Sequence, residues 1–381
     1  MGLCNVIRTC RFLFIVILSM GTFCLFTQRI SFSTNLLCMI DDPKMNETLT
    51  IKVQGQLQGV YFIGYALFQI PISSLFSKFG TKYPITILFA LLSLTTLMVP
   101  FVSTISIPLF LAVRFLNGVS AACWFPMVYH LIPKWIPALE LNYSQFVLKK
   151  SQIKKLLTCV PLYAYAACHI SCDWSAFLFL TQVPNMLKEV YKFDRENNSK
   201  LQGAIFISLW IGQFFFGILA TIIQKRELLK LLTLRKIMCV ISWIIPSLCL
   251  FIICPLTEEH FHLAVGLFSF IAFTNSAGYF GPYLTPMDCV PSYSGIVIAV
   301  VNSIAATTGY IVPALTSVLV DSYGAYGWIY IIVITAVINL ISGILFLIFG
   351  NADIQELETD YDQKDKVEVK DSMLKVDEHM M

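Results

Sequence analysis

The feature that most constrains this 381-residue chain is a series of ten apolar runs, each long enough to cross a lipid bilayer as a helix. A bilayer core of about 30 Å requires roughly 20 apolar residues in helical form, because every backbone amide must be hydrogen-bonded within the segment. Charged residues make up only 13% of the chain, against about 25% in a typical soluble domain. We therefore expect an all-α, polytopic membrane protein, and composition excludes a soluble enzyme and a nucleic-acid binder. The runs lie near residues 12–39, 56–77, 84–103, 107–131, 157–183, 202–224, 235–255, 261–284, 292–320 and 326–349.

Lysine and arginine are concentrated in alternate loops between these runs. Short loops that are rich in Lys and Arg remain on the cytoplasmic side of a membrane. Both termini are therefore predicted to be cytoplasmic, which requires an even number of spans. The residues on the richer side are Arg8, Arg11, Lys78, Lys82, Lys134, Lys149, Lys150, Lys154, Lys155, Lys225, Arg226, Lys230, Arg235 and Lys236.

Three Asn-X-Ser/Thr sequons test this orientation, because glycans are added only on the lumenal side. Asn46 and Asn197 fall in loops assigned to the outside and are predicted to be glycosylated. Asn142 falls on the inside and is predicted to remain unmodified.

Several short motifs recur in the same order as in one family of membrane transporters. Just before and within the second run they are Gln54, Gly55, Gly64, Tyr65, Gln69 and Pro71, and in the fourth run they are Arg114, Leu116, Gly118, Phe125 and Pro126. Later matches include Asp288, Pro291, Gly295, Asn302, Gly309 and Pro313. With these motifs the chain resembles the major facilitator superfamily, and within it the anion transporters that include sialin, the vesicular glutamate transporters and the sodium-phosphate cotransporters.

The resemblance implies a major facilitator-type helical bundle, but with about ten spans instead of the family's twelve. After Leu141 the chain passes through SQFVLKKSQIKK directly into what resembles the family's seventh helix. Residues 1–140 are then a truncated N-terminal half of four spans, and 141–156 a cytoplasmic linker. Residues 157–350 are a C-terminal half of six spans, and 351–381 an acidic, disordered cytoplasmic tail.

Two arginines within apolar runs are candidate substrate ligands. A buried arginine costs several kcal/mol and usually faces a cavity or a partner, and its planar fork suits a carboxylate or phosphate. Arg114 and Arg29 are therefore assigned to substrate binding. The alternatives are a structural contact for Arg114 and, for Arg29, an extended side chain that reaches the membrane interface. Tyr65 and Tyr283 are candidate walls of the same pocket.

The candidate ion-coupling residues are Asp173 and His169, which are four residues apart and so share a helix face. Such a pair could bind and release a proton near neutral pH, or it could be a satisfied structural cluster. Two acids of the family pattern are replaced here, by Ala121 in the fourth run and Ser77 in the cytoplasmic turn.

These features predict a secondary active transporter of small organic anions or inorganic phosphate, coupled to sodium or protons, that works by alternating access. The alternative is a transport-inactive truncated isoform or degenerate paralogue of such a carrier. The predicted partners are the anionic substrate, the coupling ion and the bilayer, without nucleic acid. No catalytic motif, cofactor loop or metal-ligand spacing is found, so no enzyme activity is expected. The motifs are compatible with the plasma membrane or with a lysosomal or vesicular membrane.

Overall fold

The computed structural model describes residues 10–40, 49–124, 127, 131, 156–192 and 195–355, and within these ranges it contains helices and turns but no strand. Each predicted apolar run coincides with one helix, so the expected all-α bundle is confirmed. We number the helices α1 to α10. The first four and α6 are Cys10–Ile40, Ile51–Phe79, Lys82–Val102, Ile107–Ala121 and Arg195–Lys225. The others are α5 (Val160–Phe177, Leu178–Gln182, Val183–Glu189), α7 (Leu231–Cys239, Val240–Ile244, Ile245–Ile253), α8 (Phe261–Asn275, Ser276–Phe280, Pro282–Leu284, Thr285–Cys289), α9 (Ser294–Ala306, Thr308–Tyr323) and α10 (Ala325–Phe349).

Six segments in the described part of the chain are long and apolar enough to cross a membrane. Among the described residues the continuous helix α4 ends at Ala121, and part of the predicted run beyond it lies outside the described residues. The apolar sequence of α5 contains the polar residues His169 and Asp173, although its first helical segment, Val160–Phe177, is continuous through both. The six segments are Lys82–Val102, Lys200–Lys225, Leu231–Ile253, Glu258–Cys289, Val297–Tyr323 and Ala325–Phe349.

Two helices widen into a π turn just before a proline. In α5 the turn Leu178–Gln182 precedes Pro184, and in α7 the turn Val240–Ile244 precedes Pro246. Proline lacks a backbone N–H and its ring clashes with the carbonyl four residues earlier, so a wider turn relieves the clash. In α5 this turn ends at Gln182, whose side chain reaches across to α2.

The first four helices meet the last six mainly where α2 packs on α9. Glycines permit the close approach: a Cβ added at Gly309 would lie 2.3 Å from Cγ of Phe62, and one added at Gly55 would lie 3.1 Å from the Pro313 carbonyl oxygen. Small residues at helix crossings allow this dense packing in membranes. Ser303 of α9 also donates a hydrogen bond to Gln69 of α2 at 3.2 Å.

A buried ion pair joins α7 to α8 at the end predicted to be cytoplasmic. Arg235 Nε lies 2.8 Å from Asp288 Oδ2, and its Nη2 lies 3.2 Å from Oδ1. Arg235 Nη1 also donates to the Phe280 carbonyl oxygen at 2.7 Å. The two side chains are only 5% and 13% exposed, so the pair is largely shielded from water.

Replacing Asp288 with asparagine is expected to lower the free energy of unfolding by about 3–5 kcal/mol, because Arg235 would retain a buried charge without its counter-ion. The measurement is thermal unfolding of the purified chain in detergent. The matched control is Asp321→Asn, since Asp321 is exposed near the C-terminal end of α9. Equal unfolding temperatures for the two variants would contradict a stabilising role for the pair.

The C-terminal segment folds back onto the end of α8. The backbone N–H of Gln355 donates to the Cys289 carbonyl oxygen at 2.9 Å, and the Cys289 thiol donates to the backbone carbonyl oxygen of Asn351 at 3.3 Å. The rest of the predicted acidic tail, residues 356–381, and residues 141–155 of the predicted linker lie outside the described residues.

Candidate functional site

Arg29 is buried in α1 near the junction between the two groups of helices. Its side chain is 9% exposed, and its Nε donates to the Tyr61 hydroxyl at 2.8 Å. The guanidinium carbon also lies 4.7 Å from the ring centroid of Tyr65, an arrangement that stabilises a cation through the ring electrons. Nevertheless, Nη2 of Arg29 is buried and has no hydrogen-bond partner among the described residues.

Two further buried amide groups near Arg29 lack an acceptor in the described structure. They are Nε2 of Gln58 on α2 and Nδ2 of Asn302 on α9. The Gln58 Oε1 is occupied, since it accepts a hydrogen bond from Gln182 at 2.6 Å. Asn302 lies beside Tyr65 and so belongs to the same cluster. Buried donors are almost always paired, so three unpaired N–H groups in one region suit a ligand that supplies acceptor oxygens.

Arg114 lies on the other side of the same cluster. It is 4% exposed, its guanidinium carbon lies 3.5 Å from the ring centroid of Phe32, and its Nε donates to the Leu57 carbonyl oxygen at 3.2 Å. Arg114 and Arg29 line one small cavity together with Gln58 and Tyr61. The described residues that line this cavity include two cations but no Asp or Glu. The electrostatic potential there favours an anion.

On the opposite side, α5 contributes His169 and Asp173. The His169 Nδ1 is hydrogen-bonded to the Tyr165 hydroxyl at 2.8 Å, and its ring lies 4.5 Å from that of Tyr283. His169 forms no hydrogen bond with Asp173 among the described contacts. Asp173 instead lies within electrostatic range of Arg29 across the junction. The two residues are therefore near each other but are not a hydrogen-bonded pair.

The predicted site residues fall into three groups. Arg29, Arg114 and Tyr65 form the side contributed by α1, α2 and α4, while Tyr283, His169 and Asp173 form the side contributed by α5 and α8. Asn302 connects the two sides, because it lies beside both Tyr65 and His169. Of the predicted glycosylation sites, Asn46 lies outside the described residues and Asn197 lies in the first turn of α6. The roles of all eight residues remain predictions.

Four residues without a role predicted from the sequence complete the cluster: Tyr61, Gln58, Gln182 and Asn302. The available signal was weak: each is a single polar or phenolic side chain within an apolar run. Their relevance appears only when the helices are packed, because Gln58 and Gln182 are 124 positions apart in the chain.

Comparison with known proteins supports the fold and the family. The sequence profile described as Major Facilitator Superfamily matches residues 18–144. Sialin from Ovis aries is 22% identical over 443 aligned positions, which cover 88% of each chain. Human sodium-dependent phosphate transport protein 4 is 25% identical, with 63% of this chain and 60% of that protein aligned.

The sialin alignment contains more positions than this chain has residues, 443 against 381. It therefore includes segments of sialin that have no counterpart here, in agreement with the predicted shortening.

A solved structure gives the same fold. The crystal structure of a bacterial homologue of the human lysosomal transporter Spinster, in an inward-facing and occupied conformation, superposes with a TM-score of 0.58 at 13% identity. The superposition covers 85% of this chain and 94% of that one. This chain is a multi-pass membrane protein with the fold of that transporter; residues 18–144 resemble the major facilitator superfamily, and sialin and the sodium-dependent phosphate transporters are among the proteins to which it is similar.

Proposed function

We propose that this protein is a secondary active transporter of small organic anions or inorganic phosphate, driven by sodium or protons. The observation that carries the proposal is the cluster of unpaired buried donors on Arg29, Gln58 and Asn302. Arg29, Arg114 and Gln58 give the cavity positive charge and hydrogen-bond donors, and its described lining contains no acid. The names of the relatives, sialin and sodium-dependent phosphate transport protein, point to the same class of substrate.

In this proposal each side of the junction has its own task. Arg29 presents its free Nη2 to an oxygen of the anion, and Gln58 and Asn302 donate to the remaining oxygens. Arg114 supplies a second positive charge, held in place by Phe32 and the Leu57 carbonyl. The first four and last six helices then rock about this site, so that it opens to one side of the membrane at a time.

Asp173 is the proposed coupling residue, because its carboxylate and the anion compete for the positive charge of Arg29. A proton or a sodium ion at Asp173 removes that competition and favours the loaded state. Replacing Asp173 with asparagine mimics the neutralised acid. We therefore expect Asp173→Asn to retain anion binding while losing the dependence of uptake on the ion gradient. The measurement is uptake into proteoliposomes with and without each gradient, and uptake that still follows the gradient would contradict this role.

The proposed orientation places both termini in the cytoplasm, in the plasma membrane or in a lysosomal or vesicular membrane. Asn46 and Asn197 then face the glycosylating compartment. We expect Asn46→Gln and Asn197→Gln each to remove one glycan and so to increase the electrophoretic mobility of the protein. Asn142→Gln should leave the mobility unchanged. A glycan on Asn142 would reverse the proposed orientation.

A second candidate is a truncated, transport-inactive relative of such a carrier. It is favoured by the shortened alignment with sialin and by the described residues, which form four helices before residue 124 and six after residue 156. The genomic sequence between the codons for Glu140 and Lys154 separates the possibilities: an unused exon encoding two spans indicates an isoform, whereas a continuous junction supports the ten-helix form.

Binding is the first test of the leading proposal, because it does not require a functional transport cycle. A ligand that binds only the folded state raises its unfolding temperature. We expect one of phosphate, glutamate, sialic acid or urate to stabilise the purified chain in detergent, and chloride at equal ionic strength to have no such effect. Equal unfolding temperatures in all five solutions would contradict a preformed anion site.

A further inference from the structure

A second cavity, separate from the central cluster, opens at the end of the bundle where α5 and α7 end and α10 begins. Its volume is about 440 Å³, within the range of sites that hold small organic molecules. Its walls come from Met186 to Tyr191, from the segment 253–258 and from the first two turns of α10. It shares no lining residue with the cavity of Arg29 and Arg114.

Tyr191 is the polar feature of this cavity that the fold leaves unexplained. Its side chain is 4% exposed and lines the cavity. Its hydroxyl is buried and has no hydrogen-bond partner among the described residues. A hydroxyl that is buried without a hydrogen-bond partner is less stable than one exposed to water. A ligand that forms a hydrogen bond with the Tyr191 hydroxyl would remove this cost.

The rest of the lining determines what kind of ligand fits. Leu256, Ile329 and Ile332 supply apolar surface, and Trp328 is 4% exposed with its indole Nε1 already donated to Glu189 at 2.9 Å. The ionisable carboxylate in the lining is Glu258, which is exposed at the rim and repels an anionic head group. The cavity therefore favours an uncharged molecule that is mostly apolar and carries one hydrogen-bonding group.

We propose that this cavity binds a neutral, sterol-like amphiphile from the adjoining membrane leaflet, with its single hydroxyl bonded to the Tyr191 hydroxyl. The apolar body lies against Ile329, Ile332 and Trp328. Trp328 also lines a narrow cleft that contains Gln58 and Gln182, so the bound amphiphile contacts a residue that this cleft shares. This binding does not depend on the proposed anion transport.

The test uses the full chain in nanodiscs with a photoreactive cholesterol analogue that carries a free hydroxyl. We expect cross-links to concentrate in residues 253–258 and 325–332. Ile329→Trp fills the cavity from its half-buried rim and is expected to reduce labelling about ten-fold. Its matched control is Ile341→Trp, which lies on the lipid-facing side of the same helix and should leave labelling unchanged.

Tyr191→Phe tests the hydroxyl separately from the shape of the cavity. We expect it to weaken competition by cholesterol for the labelling site about five-fold, and to leave competition by an otherwise identical sterol without the hydroxyl unchanged. Leu256→Trp, in the loop, provides a second filled cavity if Ile329→Trp does not yield monodisperse protein. Labelling spread evenly over lipid-facing residues, labelling unaffected by the filling substitutions, or stronger competition by a cationic amphiphile would overturn the proposal.

Discussion

Replacing Arg29 with glutamine is expected to weaken anion binding roughly 10- to 150-fold, the effect of losing about 1.5–3 kcal/mol from a charge-assisted hydrogen bond. Glutamine keeps a donor but removes the positive charge and the fork that reaches both Tyr61 and the cavity. Arg29→Lys should lie between the two, because a lysine keeps the charge but cannot make both contacts. The measurement is the anion concentration that gives half-maximal thermal stabilisation, followed by uptake into proteoliposomes.

The matched control is Arg226→Gln, which removes the same charge from an exposed position after α6. It should leave both binding and uptake unchanged. Arg29→Gln must also remain monodisperse, since a loss of folding would not address the role of the guanidinium. Undiminished binding by folded Arg29→Gln would exclude Arg29 as the substrate ligand.

Replacing Gly118 with valine is expected to cause the largest loss of stability in the first four helices, about 3 kcal/mol or more. A Cβ at this position would lie 1.9 Å from the Tyr61 carbonyl oxygen and 2.7 Å from its carbonyl carbon. Both atoms belong to the backbone of α2, so α2 and α4 must move apart rather than adjust a side chain. Tyr61 would move with its helix, and the hydrogen bond to Arg29 would be lost as well.

Gly203→Val provides the control, because no atom lies within 4 Å of a Cβ built at Gly203 of α6. We expect this variant to unfold close to the temperature of the unmodified chain, and Gly118→Val to unfold well below it or to aggregate during purification. Similar unfolding temperatures for the two variants would show that the close crossing of α2 and α4 is not required.

The helices could be predicted from the sequence because bilayer insertion depends on a local property, the length and hydrophobicity of a segment. All ten predicted runs contain a helix for this reason. Arg29 and Arg114 were identified in the same way, since a charge within an apolar run is expensive and conspicuous. Local spacing also placed His169 and Asp173 on one face of α5.

The contacts between helices could not be predicted from local pattern. The spacing of His169 and Asp173 suggested a pair, but Tyr165 is also four residues from His169, on its other side, and its hydroxyl takes the Nδ1 atom. The pairing of Gln58 with Gln182 depends on the π turn in α5 and on the packing of α2 against it. Which donors remain unpaired is known only after all such partners have been assigned.

The most direct test of the proposed transport is uptake of labelled phosphate, glutamate, sialic acid and urate into proteoliposomes that contain the purified 381-residue chain. Sodium and proton gradients are imposed in turn, with Arg29→Gln as the matched negative control. Saturable uptake of one anion that depends on a gradient and is lost in Arg29→Gln is the predicted result. A folded, monodisperse chain that carries none of these anions under either gradient would contradict it and favour the transport-inactive alternative.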